Sequence, residues 1–306
     1  MQDARVLNYL HLHFIVFVWG FTAILGALIS IDSIPLVWWR MLLAVGFIGI
    51  YMKIKGIPLQ LFGKDRLPAR RIWLLIVAGC VIALHWVTFF GAIKASNVSV
   101  TLAMMSTGAF FTSLLEPLFT SKRFVWYESL FGIVIIAALY YIFQVESQYF
   151  TGMLLGLTSA LLSAIFSIMN VRFARDHPPS TISFYELLSG VVLLSLAFVM
   201  LPIDFIGPFQ LSPNDWLWML LLASVCTAYA FIASVKVMRF LSAYTVMLTT
   251  NLEPVYGIVL AYVILGSSEE MTPQFYLGAV IILLVIVANG IIKMKQKQKQ
   301  KPIKNH

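Results

Sequence analysis

Long apolar runs, each about the length of a membrane-crossing helix, follow one another through almost the whole chain. A helix needs about 20 apolar residues to cross the hydrocarbon core of a bilayer. Helices and closed barrels are the structures that satisfy every backbone hydrogen bond in lipid. We therefore predict an all-α, polytopic membrane protein with ten transmembrane helices. The predicted helices cover residues 10–29, 34–54, 71–93, 98–121, 124–143, 152–175, 181–201, 214–236, 242–265 and 273–292.

The composition agrees with a chain that is solvated mainly by lipid. Only 11% of the 306 residues are charged and 60% are hydrophobic, whereas a soluble domain carries about 25% charged residues. Cys80 and Cys226 both lie inside apolar runs, so no disulfide framework is predicted. The first run is long and no small-residue cleavage site follows it, so we interpret it as a helix of the mature protein rather than a signal peptide.

Basic residues concentrate in alternate loops. If the N-terminus is placed in the cytoplasm, all 21 lysines and arginines except Arg40 and Lys94 fall in or beside cytoplasmic segments. Acidic residues such as Asp32 and Asp215 fall on the opposite side. This asymmetry predicts cytoplasmic termini. We expect the membrane to be the bacterial inner membrane. Residues 293–306 form a predicted polybasic tail that can approach lipid headgroups, so the net charge of +8 requires no nucleic-acid partner.

The chain also repeats itself at an offset near 146 residues. We predict two five-helix repeats, residues 1–145 and 146–292, before the tail. Because five is an odd number, the second repeat enters the membrane in the opposite direction. Inverted repeats of this kind are typical of secondary transporters. The aligned pairs are Val37–Arg40 with Ser183–Glu186, Cys80 with Cys226, Gly108 with Pro254, and Phe131-Gly132 with Leu277-Gly278.

Several short motifs point to one family. They are Trp19-Gly20-Phe21 on the first helix, Arg40 within the sequence WWRMLLA (38–44), and the sequence NLEPVY (251–256). A fourth motif consists of Leu265, Gly266, Glu269, Gln274 and Gly278. With the ten-helix layout, they resemble the EamA-type drug/metabolite transporters over the whole chain. The resemblance implies secondary transport or export of small metabolites, often amino acids. It also implies a central cavity lined mainly by helices 1, 3, 4, 6, 8 and 9.

Glu253 lies near the middle of the ninth predicted helix, directly before Pro254. A charge at the bilayer centre costs about 2.5–3.5 kcal/mol on insertion scales. We therefore consider Glu253 a candidate for binding a proton or a substrate ammonium group. The alternative is a structural carboxylate, paired with a buried cation or hydrogen-bonded within the helix bend. Thr250 shares its helical face, whereas Asn251 joins that face only if the proline bend reorients the helix.

Arg40 is the basic residue that lies well inside a predicted span. It is a candidate for holding a substrate carboxylate. Alternatively, its side chain snorkels to the outer interface, where Trp38 and Trp39 would be interfacial residues. The two tryptophans favour the second interpretation.

His85 and Trp86 on the third helix and Tyr229 on the eighth are predicted at a similar depth. A box around an organic ammonium group would need aromatic residues such as these, so they are candidates for one. Packing within the bundle is the alternative, and it is the commoner role for single aromatic residues on membrane helices. Further candidates for the cavity lining are Trp19, Thr107 and Asn170, the last at the end of a serine edge on helix 6.

Two carboxylates are predicted near the inner ends of helices. Glu116 lies on helix 4 within reach of Arg123, and Glu186 lies on helix 7. We interpret these three residues as members of structural or gating ion pairs.

Catalytic motifs are absent from the sequence. The five histidines show no metal-ligand spacing, and no Walker-type loop is present. We therefore predict no metal site, no cofactor and no enzyme. The alternatives to a carrier are an intramembrane enzyme and a non-transporting sensor or structural membrane protein. The expected partners are a small-molecule solute, protons as a candidate coupling ion, and membrane lipids.

Overall fold

The computed structural model describes residues 2–59, 68–119, 126–200, 210–241, 246, 249–250 and 252–299. These ranges contain helices and connecting turns and no β-strand. The helices are α1 Gln2–Leu28, α2 Ser33–Ile54, α3 Ala69–Ala95, α4 Val98–Met105, α5 Gly108–Phe119, α6 Trp126–Val145, α7 Phe150–Asp176, α8 Pro179–Met200, α9 Pro213–Ala223, α10 Ala230–Val237, α11 Glu253–Leu265 and α12 Pro273–Lys299.

Eight helical segments in the described ranges are long and apolar enough to cross a membrane. They confirm the all-α membrane class. The predicted spans 124–143 and 242–265 run partly over residues outside the described ranges, so the total of ten stays a prediction. The eight segments are Leu7–Leu28, Ser33–Ile54, Ala69–Ala95, Val98–Phe119, Ser147–Ala174, Pro179–Met200, Pro213–Val237 and Pro273–Ile292.

The distribution of side chains also fits a lipid environment. Large apolar residues such as Ile54, Val199 and Val263 are among the most exposed. Arg40 and Glu186, in contrast, are buried. Apolar surface can stay exposed here because lipid chains solvate it as well as the protein interior does.

The fourth span is interrupted by a turn at Ser106-Thr107, between α4 and α5. The Ser106 hydroxyl donates to the Ala103 carbonyl at 2.6 Å, and the Thr107 hydroxyl donates to the Met104 carbonyl at 2.7 Å. Hydroxyls bonded in this way to carbonyls of the preceding turn compete with the helical ladder and bend it. The prediction of one continuous helix over 98–121 was therefore wrong at this point.

The eighth span also departs from a regular helix. Residues Ser224–Tyr229, between α9 and α10, form a π-helical segment. Within it, the Thr227 hydroxyl donates to the Leu222 carbonyl, five residues earlier, at 2.7 Å. Such segments re-aim side chains and often occur at functional sites.

Helices that the sequence aligns as repeat counterparts pack against each other. α2 packs on α8, and α6 packs on α12. In the same way, α1 packs on α11 and its predicted counterpart α7 packs on α4 and α5. These contacts join the first half of the chain to the second, and the inverted repeat stays a prediction.

Acidic side chains tie the helices together at one end of the bundle. We call this the acidic end, and it comprises residues 29–32, 96–97, 146–149, 210–212 and 266–272. Asp215 accepts hydrogen bonds from the Ser30 amide and hydroxyl, both at 2.7 Å, so it joins the end of α1 to the start of α9. Asp215 also forms a capping box with Ser212.

Two further carboxylates connect elements at the acidic end. Glu269 accepts hydrogen bonds from the amides of Val98 and Ser99, at 3.1 and 2.8 Å, and so caps the N-terminus of α4. Glu146 accepts from the amide and hydroxyl of Thr272, at 3.2 and 2.7 Å. Charged acceptors for backbone amides make strong hydrogen bonds, so these bonds hold the elements of this end together.

The opposite end, which we call the basic end, comprises residues 55–59, 119, 177–178 and 238–241. Here basic side chains donate to carbonyls at the ends of neighbouring helices. Arg239 donates to Ala174 at 2.8 Å and also to His177. Arg172 donates to the carbonyl of Phe119.

Candidate functional site

A cavity of about 100 Å³ lies among the helices of both halves. Its space is sufficient for several water molecules or part of a small polar solute. The helices that line it agree with those implied by the family resemblance, with α2 added through Arg40. The lining residues are Trp19, Thr22, Arg40, Ile82, His85, Trp86, Phe89, Met105, Ser163, Phe166, Ser167, Phe231, Ser234, Met238, Val246, Thr250 and Glu253.

Arg40 points into the bundle and not towards the outer interface. Its side chain is 2% exposed, so the snorkelling interpretation was wrong. Nε donates to the Thr227 hydroxyl at 2.7 Å, and the guanidinium lies 3.8 Å from the centroid of the Trp86 ring and 5.4 Å from that of Phe90. Nη1 has no hydrogen-bond partner among the described residues. The cation is therefore held by a hydroxyl and two aromatic faces, with donor capacity left over.

Glu253 is the first residue of α11, and Pro254 follows it in the first turn. Proline is tolerated there because the first amides of a helix have no intrahelical acceptor. The Glu253 side chain is partly buried and lines the cavity. Within the described part of the chain its carboxylate makes neither a hydrogen bond nor an ion pair.

Arg40 and Glu253 thus place opposite charges on one cavity without touching. They interact electrostatically, yet no contact within ion-pair distance joins them in the described structure. A buried cation and a buried anion are stable in lipid when each has a partner. Both groups line the same cavity.

The aromatic side of the cavity differs from the prediction. Trp86 packs edge-on against Phe231, with ring centroids 6.0 Å apart, and Phe166 stacks on Phe231 at 5.6 Å. Tyr229 is 43% exposed, and its hydroxyl is hydrogen-bonded to His11 at 2.8 Å. Because Tyr229 and Phe231 are two residues apart, they lie on nearly opposite faces of the span. The proposed box with Tyr229 was wrong, and Phe231 occupies that place.

His85 is anchored to the neighbouring helix α7. Its Nδ1 lies 2.8 Å from the Ser159 hydroxyl and 2.9 Å from the Ser159 carbonyl oxygen. These contacts fix the orientation of the imidazole at the cavity wall. Two other serines on the same edge of α7, Ser163 and Ser167, line the cavity with it.

Other predicted residues are distributed as follows. Trp19 and Thr250 line the cavity, and the Thr250 hydroxyl donates to the Val246 carbonyl at 3.0 Å. Thr107 is fully buried and its hydroxyl is used in the turn between α4 and α5, so it is not a lining residue. Asn251 lies outside the described residues.

The predicted ion pairs have separate outcomes. Glu186 is fully buried, and Asn170 Nδ2 donates to its Oε1 at 3.0 Å. Glu186 therefore has an amide partner, and the ion-pair prediction for it was wrong within the described structure. Asn170 accordingly does not line the cavity. Glu116 lies on α5, and its predicted partner Arg123 is outside the described residues, so that pair stays a prediction.

Sequence reasoning missed Phe231 and Thr227. Phe231 could have been found, because Trp86 aligns with it at an offset of 145, the value to which the repeat offset slips near Lys94 and Arg239. Thr227 carries no comparable signal. Its role depends on the π-helical segment, which brings its hydroxyl to Arg40.

Residues 150–290 match the model of the EamA-like transporter family. The match covers slightly less than half of the chain, so the second half is similar to an EamA-like transporter domain. Two curated relatives are similar over about half of this chain. One is an uncharacterized transporter of Synechocystis, 27% identical over 149 residues, and the other is an uncharacterized transporter of Archaeoglobus fulgidus, 26% identical over 137 residues. The matches cover 47% and 45% of this chain and only 42% and 47% of the two relatives.

A solved crystal structure shares the fold of nearly the whole chain. The two chains superpose with a TM-score of 0.64 at 14% sequence identity. The likeness covers 93% of this chain and 97% of the other. The fold therefore extends through both halves, including the first half, which the family model does not match.

Proposed function

We propose that this transporter is a secondary carrier of small zwitterionic solutes, such as amino acids, and that it works by alternating access. The observation that carries the proposal is the placement of Arg40 and Glu253 on one cavity as separated opposite charges. An amino acid presents the complementary pair of charges on one small molecule.

Each charge suits one end of such a solute. A guanidinium is the preferred partner of a carboxylate because its planar donors match the two oxygens. Arg40 Nη1 is buried and has no hydrogen-bond partner among the described residues, and under this proposal the solute carboxylate supplies that partner. The Glu253 carboxylate would accept hydrogen bonds from the ammonium group, and Trp86 and Phe231 would shield both interactions from water. Electrostatic attraction is stronger in such a site than in bulk solvent.

Alternating access is supported by the contacts between counterpart helices. Two repeats of opposite orientation can exchange conformations, so that a carrier open to one side has a related state open to the other. The cavity reaches Met238 and Val246, near the basic end, whereas carboxylate hydrogen bonds close the acidic end. If the N-terminus is cytoplasmic, this conformation faces the cytoplasm.

Glu253 is also our candidate for proton coupling. It can exchange a proton or the solute's ammonium group, but a single carboxylate does not bind both at once. Because the proton and the solute compete for the Glu253 carboxylate, movement of one across the membrane is coupled to movement of the other.

The proposal is tested in liposomes that contain the purified protein. We expect counterflow exchange of labelled amino acids, and we expect Arg40→Gln to reduce it at least tenfold, since hydrogen bonds to charged groups contribute about 1.5–3 kcal/mol. Glu253→Gln should abolish pH-driven accumulation while some exchange remains. Glu270→Gln, which changes an exposed carboxylate, is the matched control. Counterflow that does not depend on Arg40, or pH-driven accumulation that survives in Glu253→Gln, would contradict the assignment.

A further inference from the structure

Glu186 and Asn170 form a buried polar pair that does not line the cavity. Both side chains are fully buried. One hydrogen bond joins them, from Asn170 Nδ2 to Glu186 Oε1 at 3.0 Å. The remaining polar atoms of the pair, Asn170 Oδ1 and Glu186 Oε2, have no partner among the described residues. Buried polar atoms without partners are rare in native proteins, so this pair requires an explanation.

A proton on Glu186 Oε2 would provide a partner for both atoms. An ionised carboxylate and an amide oxygen are both acceptors, so they cannot bond to each other. A carboxyl group that carries a proton on Oε2 can instead donate to Asn170 Oδ1. With the existing bond, the two side chains then form a cyclic pair of carboxylic acid and amide. We propose that Glu186 is a proton-binding site whose proton lies on Oε2 and is donated to Asn170 Oδ1.

The surroundings offer an ionised Glu186 no compensating charge. Helix α8 packs against α2, α3, α7 and α10, and no charged side chain described on these helices interacts with Glu186. A buried carboxylate without a cation is strongly disfavoured. Other titratable side chains described on these helices have other partners or are exposed. Arg40 of α2 contacts Trp86, His85 of α3 is bonded to Ser159, Lys94 of α3 donates to Ile29, Arg172 of α7 donates to Phe119, and Tyr185 of α8 donates to Leu59. Cys80 is a free thiol, Arg71 lies in the first turn of α3, and the exposed groups are Tyr51, Lys53, Arg70 and Lys236.

The pair lies where three helices meet. Asn170 belongs to α7 and Glu186 to α8, and the Glu186 carbonyl packs so closely on Gly79 of α3 that a side chain at Gly79 would collide with it. Loss of the proton would remove one hydrogen bond and leave a charge at this junction. The proton therefore holds α7 against α8, whether or not the protein carries amino acids.

Infrared spectroscopy of the purified full chain tests the site directly, because a carboxylic acid and a carboxylate absorb in separate regions. We expect a carboxylic-acid C=O band at neutral pH that is lost in Glu186→Gln and retained in Glu270→Gln. Glu186→Gln should fold normally, since its amide can make both hydrogen bonds to Asn170. Asn170→Leu should shift the same band to higher frequency, since the amide no longer donates to that C=O group.

A second measurement follows the junction itself. At a pH high enough to remove the carboxylic-acid band, Glu186 has lost its proton. Amide hydrogen exchange over residues 167–173, corrected for the intrinsic rates, should then increase in the parent protein but not in Glu186→Gln. If Glu186→Gln removes only carboxylate absorption, the proton-binding site is refuted. Exchange that rises equally in both proteins would refute the role of the proton at the junction. Neither measurement requires transport, so both are independent of the proposed function.

Discussion

At the scale of single residues, the unusual feature is how Arg40 is held. Its guanidinium contacts Trp86 and Phe90 and donates to Thr227, and none of these partners is an anion. Thr227 in turn donates to the Leu222 carbonyl, so its hydroxyl oxygen is oriented to accept from Arg40. Thr227 is therefore a positioning residue for the cation and not a binding residue in its own right.

We expect Thr227→Val to weaken solute binding about tenfold, because a lost hydrogen bond to a charged group costs about 1.5–3 kcal/mol and 1.4 kcal/mol corresponds to tenfold in affinity. The half-saturating solute concentration in counterflow measures the effect. Thr227→Ser keeps the hydroxyl and should bind like the parent protein. Equal affinities for the valine and serine variants would show that the hydroxyl does not position Arg40.

At the scale of helices, carboxylates and glycines set how the segments meet. Glu269 caps the N-terminus of α4, where the backbone amides have no helical acceptors. α1 and α11 cross at Gly20 and Gly257, and a side chain at Gly20 would lie 3.3 Å from the Gly257 amide nitrogen. The Gly20 of the Trp19-Gly20-Phe21 motif thus has a packing role.

Removing the charge of Glu269 should loosen the acidic end. We expect Glu269→Gln to increase amide exchange at Val98 and Ser99 about tenfold, because hydrogen bonds to a charged acceptor contribute about 1.5–3 kcal/mol. Glu270→Gln removes the charge of the adjacent, exposed residue and should leave these amides unchanged. Equal exchange in the two variants would mean that the Glu269 charge does not hold α4.

At the scale of the whole molecule, hydrogen bonds tie the helices together at the acidic end, and a cavity extends towards the basic end. The acidic end is tied by Asp215, Glu269 and Glu146, each across two elements. The cavity extends from Arg40 towards Met238 at the basic end. Under the proposed mechanism, the other conformation breaks the acidic-end bonds and closes the basic end.

Thiol labelling should detect both conformations. In a background with Cys80 and Cys226 replaced, we expect Met238→Cys to react with an impermeant reagent added on the basic-end side without solute. Thr22→Cys, on the α1 wall of the cavity, should react from the acidic-end side mainly during solute turnover. Labelling of both sites from the same side under every condition would exclude alternating access.

Much of this architecture follows from local properties of the sequence. Apolar length predicts membrane helices because lipid excludes unpaired backbone groups, and the structure contains eight such segments in its described part. A charge inside such a segment is costly wherever the helix packs. For this reason Arg40 and Glu253 could be singled out in advance, and both line the cavity.

The tertiary structure was needed to determine which way each side chain points. The turn at Ser106-Thr107 and the π-helical segment Ser224–Tyr229 interrupt the regular periodicity from which helix faces are predicted. Phe231 therefore replaces Tyr229 at the cavity, and Arg40 turns inward to Thr227. Partners such as Thr227 are 187 residues away in sequence. The composition of a helix determines whether it lies in lipid or in water. Its rotation about its own axis and the side chains that it contacts depend on how the other helices pack.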